Sequence, residues 1–439
     1  MTQDFARKIV LGAIVSTLGL SGCNAAPPPS SNAAPVPSDT TPVAITLWHA
    51  QNGNARNLLA TFIPDFQKAY PWITISVDPK NNDSDLLKFG IAAVALNQPP
   101  DLLIAPPRTL AEFARRGALI PLDPFLAQEK IGFSDDERAD FFPGLIETGK
   151  IAESQNILYA FPFDAHAVVM YYNADLLKAA KISAPPRTWD DFSAAARATT
   201  RNDTRGWAML PSPIGYSALL ASRSTTVLDD TQTKIQFNDN AGQTTIQFIA
   251  GLARGGAAYI TNQPVDEFVQ GKTAFLLGSA GDFLALSDAM TRANKSFAWG
   301  AAMIPQSDTA HPATSVSGSS IGIFRTTDAR ARAAWLFARW LAAPEQTARW
   351  SRATLALPLR VSALIILAKD AATNPLAPLV RNGFGDAVPT VRSLPTILNA
   401  AQIDAALVEM WTTVGNGTDP NVALTRATTR ANRILGQGQ

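Results

Sequence analysis

The sequence predicts an α/β fold in two lobes, and three observations carry that prediction. Setting aside the first 42 residues leaves 397, too many for one core and enough for two lobes of roughly 100–200 residues each. The first part of that remainder runs strand, polar loop, helix, strand, the order of a parallel sheet with helices on its faces. Further on, Leu158–Leu177 reads LYAFPFDAHAVVMYYNADLL and sets Asp164-Ala165-His166 between two apolar runs, where a simple core strand carries no polar side chain.

The N-terminus stands apart from the fold. Arg7 and Lys8 precede an apolar run from Ile9 to Leu20, the length of a secretory leader core and too short to span a membrane. It ends in Leu20-Ser21-Gly22-Cys23, which matches a lipoprotein cleavage box, so residues 1–23 are expected to be a leader with Cys23 as the lipid-attachment site. Cys23 is the only cysteine, which excludes an internal disulfide and a thiolate metal cluster together. Residues 24–42 are Ala, Pro, Ser, Thr and Asn with almost no large apolar group, a disordered tether that cannot bury enough surface to fold.

Val43–Trp48 reads as a buried strand and His49-Ala50-Gln51-Asn52-Gly53-Asn54 as the polar turn at its C-terminal end. A helix follows with Leu58, Leu59, Phe62, Ile63 and Phe66 on one face, then a strand over Ile73–Val77. Leu86–Leu96 predicts a second helix, Asp101–Ala105 a third strand, and Thr109–Arg116 a third helix closed by Gly117. Ligands of such sheets collect at the carboxyl ends of strands, which makes His49, Gln51 and Asn52, and Arg108 on the next such loop, candidate binding residues.

Val168–Tyr172 has the continuous β-branched and aromatic pattern of a strand buried on both faces, and Asn173 stops it. Pro162 cannot donate to a ladder, so the chain is expected there at a sheet edge or passing from one sheet to another. A crossover between lobes, with Asp164 and His166 facing the gap, accounts for this pattern. So does a bent edge strand whose Asp and His are merely solvated.

Enzyme motifs match by letter and fail in context. Gly144 to Lys150 fits GxxxxGK, but Ile151 replaces the magnesium-holding Ser or Thr and a charged segment stands where a buried strand is required. Gly318-Ser319-Ser320-Ile321-Gly322 fits GxSxG, yet an apolar strand follows the serine and the last of three histidines, His311, precedes it. A cleft hydrolase using Ser320 is therefore the alternative reading. The histidines are too dispersed for a local metal site, and no cofactor is expected. Lys+Arg 37 against Asp+Glu 36 leaves no long-range field to select nucleic acid.

In order and spacing, these strings resemble the bacterial extracellular solute-binding proteins, the family that includes maltose-binding and glycerol-phosphate-binding proteins. The strings are the turn after Trp48-His49, PWITISV, PPDLLIA, RGALIPLDPF, the YYN-x-DLL of Tyr171–Leu177, the GK-x-A of Gly271–Ala274 and the PEQ of Pro344–Gln346. The resemblance covers essentially residues 43–435. It implies the type II periplasmic-binding-protein fold, two α/β lobes around a ligand cleft, with hinge crossings near Asp164, Gly278 and Leu341. The implied lobes are 43–164 plus 280–340 and 165–279 plus 341–435. Ser279, Ser317, Gly318 and Arg360 join His49, Gln51, Asn52, Arg108, Asp164 and His166 as implied ligand contacts.

The implied activity is binding, not catalysis: a monomer, lipid-anchored outside the cytoplasmic membrane or in the periplasm, that delivers a carbohydrate or polyol to the permease subunits of an ABC importer. Ala105, Ala280 and Ala356 stand where sugar-binding members often place aromatics, which favours a small ligand over a large oligosaccharide.

Overall fold

The computed structural model describes residues 40–151, 157–369 and 390–437. The expected leader, the lipid site at Cys23 and the tether up to residue 39 lie outside the described residues.

Alternating and continuous apolar runs become β1 (Val43–His49), β2 (Ile73–Pro79), β3 (Leu102–Ala105), β4 (Lys150–Ile151), β5 (Ile157–Leu158), β6 (Phe161–Asn173), β7 (Arg205–Met209), β8 (Ala258–Ile260), β9 (Thr273–Ser279), β10 (Trp299–Met303) and β11 (Val316–Ile323). The strand-helix-strand order yields the expected parallel pairs β1·β2 and β1·β3 at one end and β7·β8 and β7·β9 at the other. Between them the order is β3-β11-β6-β9, with β10 also paired to β6.

β6 joins the two ends by changing partners along its length. Its first half, through Ala167, pairs antiparallel with β11, and its second half, from Val168, pairs with β9 and β10. The register with β11 shifts between Ser319 and Ser320, so that Phe163 has no opposite residue and Pro162 falls beside the irregularity. A proline with no N–H to give is accommodated where the ladder is already broken.

Two buried clusters pack on the sheet, and the first also takes Phe268, Leu276, Ala301 and Met303 from the end that carries β9 and β10. Leu47, Phe62, Phe66, Phe161, Trp335 and Phe337 belong to the first, and Phe192, Trp207, Tyr216, Phe275 and Trp411 to the second. β6 feeds both: Phe163, Ala165, Val169 and Tyr171 point to the first, Val168 and Met170 to the second. Two-sided burial explains why this strand reads as an unbroken apolar run and not as an alternating one.

The helix Gly53–Ala69 buries Leu59, Phe62 and Phe66 as its spacing predicts, and Gly117 follows the helix Pro107–Arg115 in the left-handed region at φ +67°. Two parts of the chain differ from the expected division: β10, expected with the first lobe, pairs with the second half of β6, and the helix after Leu341 changes sides as well. The helix Pro344–Thr354 packs with the first core and not the second, because Trp350 lies against Phe62 and Phe163 and Arg349 pairs with Asp65 at 3.1 Å. The second core instead takes its closing helices from Ala400–Gly415 and Pro420–Gln437.

Candidate functional site

Asp164 and His166 are two residues apart on β6, so their side chains leave the strand on the same face. His166 Nε2 lies 2.9 Å from Asp164 Oδ1, and the indole Nε1 of Trp350 donates to the same oxygen at 2.9 Å. The Gln51 side chain also lies near enough to this carboxyl to favour its charged form. Burial pushes the Asp164 carboxyl up, but the neighbouring His166 and the polar side chains of Trp350 and Gln51 prevail and hold it below the usual carboxylate range. Burial likewise opposes the imidazolium of His166, and the neighbouring Asp164 and Asp282 charges outweigh it and raise its pKa.

β1 delivers the second set. His49 is its last residue and is 3% exposed, and its Nδ1 accepts the Gln51 N–H at 3.0 Å. Burial, reinforced by the Arg56 charge, lowers the His49 pKa to about 4, which favours the neutral ring. Asn52 occupies the N-cap of the helix Gly53–Ala69 with an exposed side chain that makes no cap bond.

β9 and β11 supply the rest of the wall. The Ser279 hydroxyl accepts the Gly281 N–H at 3.2 Å, its N–H donates to Asp282 Oδ2 at 3.0 Å, and its carbonyl accepts the Tyr171 hydroxyl at 2.6 Å. These bonds hold the short turn Ala280–Asp282 against His166, where Gly281 faces the ring edge. Ser317 stands opposite His166 and Gly318 opposite Ala165 across the β11·β6 ladder. Gly318 has φ +144°, and a Cβ there would fall 1.7 Å from the Asp164 carbonyl oxygen. Only glycine lets the two strands approach this closely.

The fold therefore brings together His49, Gln51, Asp164, His166, Ser279, Ser317 and Gly318. Arg108 and Arg360 are placed elsewhere. Arg108 spends its guanidinium on Asp404 and on the Pro395 carbonyl. Arg360 is 3% exposed, lies over the Phe141 and Phe133 rings and faces Asp140 at 3.6 Å, an internal cation and not a rim residue. Trp350 and Asp282 are the residues that sequence reasoning missed. Trp350 reads as one more core tryptophan on an amphipathic helix, and Asp282 carried a signal only in its place three residues after Ser279.

Neither enzyme motif has its required geometry. Ser320 is 3% exposed within β11, laddered to Ala105 on one side and Pro162 on the other, and not on a strand-to-helix turn. Gly149 lies flat against the Ala160 carbonyl, not in a loop that could cradle phosphate.

Two α/β halves sharing one strand, with polar strand ends meeting where that strand changes partners, define a solute-binding protein. The chain belongs to the bacterial extracellular solute-binding protein family, which it matches over residues 52–348. The sn-glycerol-3-phosphate-binding periplasmic protein UgpB of Pectobacterium atrosepticum is 25% identical over 417 residues, 89% of this chain and 91% of that protein. Among solved structures, the cyclic alpha-maltosyl-1,6-maltose binding protein of Arthrobacter globiformis aligns with a TM-score of 0.79 at 21% identity, over 90% of this chain and 100% of that one. UgpB of Mycobacterium tuberculosis in complex with glycerophosphocholine aligns with a TM-score of 0.73 at 20% identity, over 90% and 99%. These relatives are binding proteins, and a hydrolase working through Ser320 is not supported. No helix among the described residues is long and apolar enough to cross a membrane.

Proposed function

We propose that this protein captures a small carbohydrate, polyol or glycerol-phosphate-type solute between its two halves and hands it to the permease of an ABC importer. The observation that carries the reading is the meeting of Gln51, Asp164 and His166 at the point where β6 passes from one core to the other. A solute held there touches both halves and binds their closed arrangement better than their open one, which is the differential affinity that closure requires. The closed form is what a permease reads.

His49, Gln51, Asp164, His166, Ser317 and the Ser279–Asp282 turn are the proposed contacts, with Asn52 at the rim. Ala105, Ala280 and Ala356 are each fully buried and offer no stacking platform, which supports a small solute. The halves are proposed as residues 43–164 with 316–369, and 165–279 with 299–303 and 400–437. The mature chain is a non-catalytic monomer held outside the cytoplasmic membrane by acyl chains on Cys23, each buried methylene contributing about 0.8 kcal/mol.

Thermal unfolding against maltose, glucose, glycerol, glycerol 3-phosphate and glycerophosphocholine tests the ligand class. Binding raises the melting temperature by mass action, by about 2.7 kcal/mol of stability at a hundredfold excess over Kd. Solute recovered chemically unchanged separates binding from turnover, and no shift with any of the five would refute the proposed ligand class. Mass spectrometry of the membrane-extracted chain, with Cys23→Ser as control, tests the anchor.

A further inference from the structure

Besides the strands that pass through β6, a second tie joins the two cores. The helix Pro107–Arg115 packs through Leu110 and Phe113 with Leu103 and Phe324 of the first half. The helix Ala400–Gly415 packs through Ile403, Leu407 and Trp411 into the second core. Arg108 spans the gap. Its Nη1 and Nη2 each donate to one oxygen of the Asp404 carboxylate, the second at 3.2 Å, and its Nε donates to the Pro395 carbonyl at 2.6 Å. Two turns further along the same helix, Arg115 Nη2 donates to the Thr396 carbonyl, and the Thr396 N–H donates to Gln232 Oε1 at 2.9 Å.

The chemistry of this tie is that of a switchable contact. The side chains of Arg108 and Asp404 retain 27% and 12% exposure, so the pair is largely but not wholly out of water. A two-point guanidinium–carboxylate fork is stronger and more directional than an exposed ion pair, and a lysine would not reproduce it. Losing one partner leaves the other charge poorly solvated. The pair shares no hydrogen bond with Gln51, Asp164 or His166.

We propose that Arg108 and Asp404 form a latch that sets the fraction of closed molecules, and so tunes solute affinity without touching the solute. The affinity consequence rests on the reading that solute binds between the halves. The apparent Kd is then the intrinsic Kd divided by the closed fraction, so a contact made only on closure tightens binding. Because the latch partners lie on helices of different cores, opening must break it.

The test uses the full chain with Arg108→Ala, Asp404→Asn and the double variant, each checked for native circular dichroism. Small-angle scattering without solute comes first and needs no ligand: the latch predicts a larger radius of gyration in both single variants and no further increase in the double. Titration calorimetry with maltose and with glycerophosphocholine follows. Each single variant should weaken binding roughly tenfold, with the double no weaker than either. Unchanged dimensions in both natively folded singles would overturn the latch. So would weaker binding in Arg108→Ala with unaltered affinity in Asp404→Asn, which would make Arg108 a direct solute contact. If the wild type binds neither probe, the reading of the site fails while the scattering result still decides the latch.

Discussion

His166 Nε2 lies 2.9 Å from Asp164 Oδ1, and both side chains project from the same face of a strand that serves two cores. The pair thus sits at the junction of the molecule, with Trp350 fixing the carboxylate from a helix of the first half.

Breaking that couple should abolish most solute binding. Asp164→Asn keeps the shape and removes the charge that His166 leans on. The expected loss is about tenfold to a hundredfold in Kd, read by calorimetry, in keeping with the value of charge-assisted contacts. His166→Gln should lose a similar amount. Wild-type affinity in both would refute the site.

His49 and His166 titrate with opposite sign. Burial, with Arg56 nearby, lowers the His49 pKa from 6.5 to about 4, so the unfolded chain binds this proton first and stability falls as pH drops from 6.5 towards 4, by at most about 3 kcal/mol. Burial works against protonation of His166 as well, but Asp164 and Asp282 raise its pKa above 6.5. Its contribution is therefore complete below 6.5 and is lost as pH rises through the folded value. Urea unfolding from about pH 4 to about pH 9 should show both limbs. His49→Asn should flatten the acid limb and His166→Asn the alkaline one.

Trp350→Phe separates the indole N–H from the ring's packing. The ring contacts with Phe163 at 4.4 Å and Phe62 at 6.2 Å are largely kept, while Asp164 Oδ1 loses one of its donors. Stability should fall by about 1–2 kcal/mol, measured by chemical denaturation, with solute affinity falling alongside because the carboxylate is no longer held.

Gly318→Ala should be among the most damaging single-methyl additions in the chain. The backbone at φ +144° disfavours any side chain, and the new Cβ meets the Asp164 carbonyl. A loss of about 3 kcal/mol or more is expected, with a lowered melting temperature and weakened binding together, since relief requires β11 to move off β6.

Arg360→Ala should behave as a core lesion and not a binding lesion. The cation lies over Phe141 at 4.1 Å and faces Asp140, so its removal leaves a cavity and takes a cation from a carboxylate that keeps only its Ser362 hydrogen bonds. Stability should drop by about 3–5 kcal/mol while the Kd of molecules that remain folded stays within twofold. A large Kd change at unaltered stability would return Arg360 to the rim.

Much of the fold was legible because its signals are local. The apolar stripe of Leu59, Phe62 and Phe66 marks the first helix, the β-branched run at Val168–Tyr172 marks the central strand, and Gly117 marks a helix end, each through chemistry confined to a few neighbouring residues. Pro162 even marked the break in the ladder, since a missing N–H constrains pairing whatever the partner. The candidate site was half legible: polar residues at strand ends stand out against apolar surroundings, so Gln51, Asp164 and His166 could be nominated from the sequence as residues that the fold then brings close together.

What remained hidden depends on separations of hundreds of residues. Trp350 reaches Asp164 across 186 positions, and Arg108 reaches Asp404 across 296. No periodicity encodes such pairs, because a tryptophan or an arginine looks the same in sequence whether its N–H groups meet solvent, solute or a distant carboxylate. By itself the sequence determined which residues are strands, which ends are polar and that two halves are needed. Tertiary structure alone decided which arginines are spent on the protein itself and which half receives the helix Pro344–Thr354, because those outcomes are set by what packs beside a side chain and not by the side chain's own chemistry.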